Sequence, residues 1–84
     1  MYDERVMAMQ EIKENDLVAL LIDVPDRGLR RGQVGTVVEV FTGNEHHPGG
    51  YIVEFVTESG DVYAQTDITD ASQLVQLHFR REAA

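Results

Sequence analysis

The stretch Gly28-Leu29-Arg30-Arg31-Gly32-Gln33-Val34-Gly35-Thr36-Val37-Val38-Glu39-Val40 constrains this chain more than any other. Glycine accepts positive φ at no steric cost, and β-branched residues suit the pleated surface of a sheet. A turn rich in glycine and arginine therefore runs straight into a strand. Ahead of it, Leu17-Val18-Ala19-Leu20-Leu21-Ile22 is an apolar run of strand length. Val24-Pro25 ends it, because proline donates no ladder hydrogen bond and extends the residue before it. Two strands joined by a long glycine-hinged corner are the framework that the remaining residues must complete.

The rest of the sequence supplies three more strands, which gives five in all, over residues 17–23, 34–41, 51–57, 62–66 and 74–79. Glu58-Ser59-Gly60-Asp61 reads as a tight hairpin with glycine at the positive-φ position. Residues 42–50 hold three glycines and a proline and read as a mobile loop. Asp70, with Gln73 three residues on, can cap one 3₁₀ turn before the last strand. Residues 1–15 have no β-branched run; Asp3 can cap a short helix with Val6, Met9 and Lys13 on one side. The predicted organisation is an N-terminal arm or short helix over 1–15, a barrel over 16–79 and a frayed tail over 80–84. The fold class is mainly β: a small, five-stranded, SH3-like, partly open barrel with a short N-terminal helix or arm.

Alternation along the strands predicts a core of Val18, Leu20, Val38, Val40, Val53, Phe55, Ala64, Leu74 and Leu77, with Leu29 pointing inward from the corner. It leaves Leu17, Leu21, Ile22, Val37, Phe41, Ile52, Val56, Val75 and Phe79 on a second face. A barrel of 84 residues cannot hide both faces, so the N-terminal segment covers one or a second chain pairs there. Pairing is the favoured expectation, since so short a chain buries little more than the entropy of ordering it requires.

Composition narrows the function classes. Without cysteine there are neither disulfides nor thiolate metal sites, which fits a cytoplasmic protein. No apolar run is long enough to span a membrane, and Asp3, Glu4 and Glu11 do not suit a signal peptide. A net charge of −8 repels phosphate backbones and favours a protein partner over nucleic acid.

The spacing Gly32-Gln33-Val34-Gly35-Thr36-Val37 resembles the KOW motif of ribosomal and transcription-elongation proteins, whose glycines shape the turn into a barrel strand. A closer resemblance is to a small bacterial and cyanobacterial family called domain of unknown function 4926. It rests on Asp16-Leu17-Val18-Ala19-Leu20-Leu21-Ile22-Asp23-Val24-Pro25, on the corner and strand from Gly28 to Val40, on Tyr51-Ile52-Val53-Glu54-Phe55 and on Gly60-Asp61-Val62-Tyr63-Ala64. It covers about residues 16–77 and implies an SH3-like barrel, with no activity or site residues attached. The chain departs from the family pattern in its first fifteen residues and in the longer loop over 44–50.

Several side chains invite sharper readings. Arg27, Arg30 and Arg31 gather on the corner, where KOW-type barrels meet RNA, and guanidinium groups bridge phosphates well; against this stand the acidic remainder and the pairing open to Asp23, Asp26 and Glu39. His46 and His47 are adjacent, so in extended chain they point in opposite directions, and no metal or other cofactor is expected. Glu54, Glu58, Asp61, Asp67 and Asp70 sit at turns or outward positions rather than in the apolar pockets that general acid–base chemistry needs, and no nucleophile is paired with a base. The chain is read as a non-enzyme. Tyr51, Tyr63, Phe79, Ile52 and Phe41 are the candidate interface residues, because aromatics around an apolar centre anchor protein contacts. The preferred function is a small interaction module, homodimeric or bound to another protein in an accessory, regulatory or antitoxin-like role. The alternative is a KOW-like nucleic-acid binder that uses the three arginines.

Overall fold

The structure, a computed structural model, describes residues 11–78. Reciprocal hydrogen bonds between Val24 and Leu29, 2.9 and 3.0 Å long, close the corner around a 3₁₀ turn, Pro25–Arg27. Gly28 ends that turn at φ 69°, a left-handed conformation that L side chains rarely adopt. Gly32, at φ 93°, donates its amide to Leu20 O at 2.7 Å, and Leu20 returns a bond to Gln33 O at 3.0 Å. The corner is thus pinned to the strand it leaves, and Leu29 drops from it into the core.

Five strands follow: β1 (Leu17–Leu20), β2 (Val34–Phe41), β3 (Gly50–Val56), β4 (Val62–Ile68) and β5 (Leu74–Gln76). They form one open antiparallel sheet in the order β4-β3-β2-β1-β5. The mainly β class is as expected, and this strand order is compatible with an SH3-like, partly open barrel. β1 is three residues shorter than predicted, and β4 is two longer because Tyr51 in β3 finds its partner in Ile68. Among the described residues no helix is long and apolar enough to cross a membrane.

The close approach of β3 to β2 sets the inner face. A Cβ on Gly35 would lie 2.7 Å from Phe55 Cε2 and 2.7 Å from Val53 Cγ1, so the Phe55 ring rests on bare backbone. With Gly35 turned inward, alternation turns Val37 inward as well. The expected core positions Val38 and Val40 are therefore corrected: Val37 is fully buried, while Val38 is 39% and Val40 38% exposed. A bulge then puts Val38 and Glu39 opposite Ile52, and Val40 pairs with Tyr51 near the open end of the sheet.

Val18, Leu20, Val53, Phe55 and Leu74 occupy the core as expected, Ala64 packs against it half-buried, and Ile68 joins it. Leu77 does not: three residues past Leu74, it has the opposite parity, and its amide bonds Leu17 O at 2.9 Å. Ile12 is the other addition. Asn15 turns at φ 75° and donates to Val37 O at 2.7 Å. The Asp16 carboxylate accepts from the Lys13 amide at 2.8 Å and from Gln76 Nε2 at 2.7 Å, so residues 11–16 are tied to β5 and Ile12 caps the core. The predicted short helix falls chiefly on residues outside the described range; residues 11–13 form no regular element and 14–15 are a turn.

A second 3₁₀ turn, Ala71–Gln73, leads into β5. Its cap, Asp70, accepts from the Ser72 hydroxyl at 2.7 Å and the Ser72 amide at 2.9 Å, and these bonds hold its carboxyl below the usual range. The sign follows: the cap stabilises the fold above the unfolded carboxylate pKa and fades as pH falls through the lowered folded value.

Replacing Gly35 by alanine should cost about 1–3 kcal/mol, the range for overpacking a filled core. Urea denaturation read by far-ultraviolet circular dichroism measures it; a variant with the wild-type midpoint would contradict the packing of Phe55 on Gly35.

Candidate functional site

Two regions carry the side chains singled out in the sequence. The first is the corner. Arg27, Arg30 and Arg31 are all exposed, and among the described residues their guanidinium groups form no ion pair. The acids nearby are used differently: Asp23 Oδ1 accepts from the Arg31 backbone amide at 2.8 Å, which holds the corner rather than neutralising it. Pro25, Gly28, Leu29, Asp23 and Arg30 line a shallow recess of about 280 Å³. Gln33 accepts from the Arg30 amide and donates from Nε2 to the Tyr63 hydroxyl at 2.9 Å. Tyr63 is half-exposed, and its ring sits 6.4 Å from that of Phe55 at 47°. The corner therefore presents three exposed arginines and is tied through Gln33 to the exposed Tyr63.

The second region is the outer face of the sheet, opposite the core. Residues paired across an antiparallel ladder share a face, so the register reads it in rows. Val75, Ala19 and Val34 are mutually aligned. Val56, two residues past Glu54, pairs with Val62 and extends the same apolar row toward the far edge. Val34, Val56 and Val62 are 49%, 47% and 53% exposed. The next row is Leu17, Thr36, Glu54 and Gln65, and beyond it Glu39, Ile52 and Asp67 align. The face is apolar along one row and acidic around Ile52.

The four interface candidates among the described residues, Tyr51, Ile52, Phe41 and Tyr63, do not gather on one surface. Ile52 lies on the outer face; Tyr51 points to the opposite side and packs against the core. Phe41 is exposed at the end of β2, paired with Gly50, and Tyr63 is tied to the corner by the hydrogen bond from Gln33. Phe79 lies outside the described residues. Strand alternation alone puts Val56 and Val75 on the second face, and only the ladder register shows that they align with Val34, Ala19 and Val62.

The remaining candidates are isolated. Asn44 Oδ1 accepts from the amides of His46 and His47 at 2.8 and 2.9 Å, and the loop neck closes where Gly43 and Gly49 approach too closely for side chains. His46 Nε2 lies 3.5 Å from Glu45 Oε1, fully in solvent. Among the described residues no group of three or more histidine, aspartate or glutamate side chains is placed to hold a metal ion. Glu58, Asp61, Asp67 and Asp70 are exposed, and Glu54 is half-buried on the outer face.

Comparison with known families finds the one described as Domain of unknown function (DUF4926) matching residues 14–75. The chain belongs to that family. The match takes in the whole corner and nearly all of the sheet, so both regions are features of the DUF4926 domain within this chain. Comparisons with curated proteins and with solved structures found no significant match.

Because the three guanidinium groups form no ion pair among the described residues, replacing Arg27, Arg30 and Arg31 together by glutamine should leave stability within about 0.5 kcal/mol of wild type. Equilibrium denaturation measures this; a loss several times larger would show that the arginines support the corner.

Proposed function

We propose that this DUF4926 chain is a non-enzymatic interaction module that pairs, through the outer face of its sheet, with another polypeptide or with a second copy of itself. The observation that carries this reading is the apolar row Val75, Ala19, Val34, Val56 and Val62, which crosses all five strands on the side away from a filled core. An aligned row of exposed valines on a rigid sheet supports an interface, because burying it against a partner removes apolar area from water without reorganising the fold. The dispersed carboxylates and solvent-exposed histidines support a binding role over catalysis.

The second reading is nucleic-acid binding at the corner, and what favours it is the set of three exposed arginines, which form no ion pair among the described residues, on a corner that Gln33 ties to exposed Tyr63. The two readings make opposite demands. In the module reading, Val34→Glu with Val56→Glu abolishes self-association in sedimentation, or loses a protein that the wild-type chain retains from host extract, while the arginine variant behaves as wild type. Salt-sensitive RNA binding that disappears with Arg27→Gln, Arg30→Gln and Arg31→Gln, alongside indifference to the valine substitutions, would overturn it.

A further inference from the structure

We propose that the outer face docks a polypeptide whose contact surface is apolar and bordered by lysine or arginine, and not a second copy of this chain. The inference rests on the module reading above and adds the chemistry of the partner. Its basis is where the charges fall. The segments Leu17–Leu20, Val34–Phe41, Gly50–Val56, Val62–Ile68 and Leu74–Gln76 contain no lysine or arginine. They do contain Glu39, Glu54 and Asp67. Register brings these three together on the outer face: Glu39 and Asp67 are each paired with Ile52, and Glu54 lies two residues along β3 on the same side. The cations of the described residues, Lys13, Arg27, Arg30 and Arg31, all lie off the strands. Local and global charge agree, for the chain carries −8 overall.

This distribution discriminates between occupants. A second copy laid on the same face sets its three carboxylates either against the first copy's three, where they repel, or against the valine row, where they lose water and gain no partner. A surface with cations beside an apolar patch meets both halves of the face at once. The valines are buried, and each carboxylate acquires a charge-assisted partner at the rim of the contact. Opposite net charges also speed encounter, an effect that salt weakens. The corner arginines lie off this face and do not compete with such a partner.

The test uses the full chain and two defined probes, an amphipathic leucine/lysine peptide and its leucine/glutamate counterpart of equal length, titrated calorimetrically at low and at raised salt. The leucine/lysine peptide should bind and the leucine/glutamate peptide should not. Glu39→Gln, Glu54→Gln and Asp67→Asn together should weaken binding roughly tenfold and flatten its salt dependence. A control with the same change in net charge, Glu14→Gln, Asp26→Asn and Glu45→Gln, should stay within roughly twofold of wild type. Val34→Ser should weaken binding while keeping the salt dependence. Thermal melts establish that each variant is folded.

Equal losses in the two charge variants would overturn the inference, since net charge alone would then explain the binding. So would equal binding of the acidic peptide. Self-association abolished by Val34→Glu, with no binding of the basic peptide, makes a second copy the occupant: the inference fails and the module reading stands. If binding ignores Val34→Ser and the chain does not self-associate, both fail.

Discussion

The Phe55 ring lies against the backbone of Gly35, and the two faces of this sheet follow from that contact. Any Cβ at position 35 would intrude on Phe55, Val53 and the Glu54 carbonyl at distances below van der Waals contact. Once Gly35 faces inward, the two-residue period of a strand sends Val37 to the core and Val34 to the surface. β1 and β5 inherit the same division through their pairing, with Val18 beside Gly35 and Leu20 beside Leu74 on the inner face. What remains outside includes an ordered row of valines, Val75, Val34, Val56 and Val62.

Local chemistry made much of this legible in the sequence. The corner was readable because Gly28 and Gly32 mark positive φ and Pro25 ends a strand; the Gly60 hairpin and the Asp70 cap were readable for the same kind of reason. Parity in β2 was not. Val37, Val38 and Val40 are chemically alike, so only the contact with Phe55, twenty residues away, decides which of them is buried, and a bulge then resets the count. Ile12 was lost for a similar reason, since its burial depends on Asp16 reaching Gln76, sixty residues away in sequence. The candidate site suffered most. Tyr63 carries no local sign that it will stand beside the arginine corner, and the valine row exists only as a product of ladder register.

The charges are sorted as sharply as the apolar residues. Among the described residues, the cations occupy the corner and the N-terminal turn, whereas the strands carry acids alone. Such sorting costs little in a small fold, because exposed charges more than a Debye length of about 8 Å apart are largely screened at physiological salt. It gives the chain two surfaces of opposite character, so one partner cannot satisfy both in the same way. The outer sheet face combines removable apolar area with charges of one sign.

The division of the sheet into inner and outer faces is most directly tested by thiol labelling, because the chain has no cysteine of its own. Single cysteines at Val34, Val37, Val38 and Val53, treated with a thiol reagent under native conditions, report burial residue by residue. Val34→Cys and Val38→Cys should react at nearly the rate of a free thiol, while Val37→Cys and Val53→Cys should be protected until the protein is unfolded. Fast labelling at position 37 together with protection at position 38 would reverse the two faces and contradict the account.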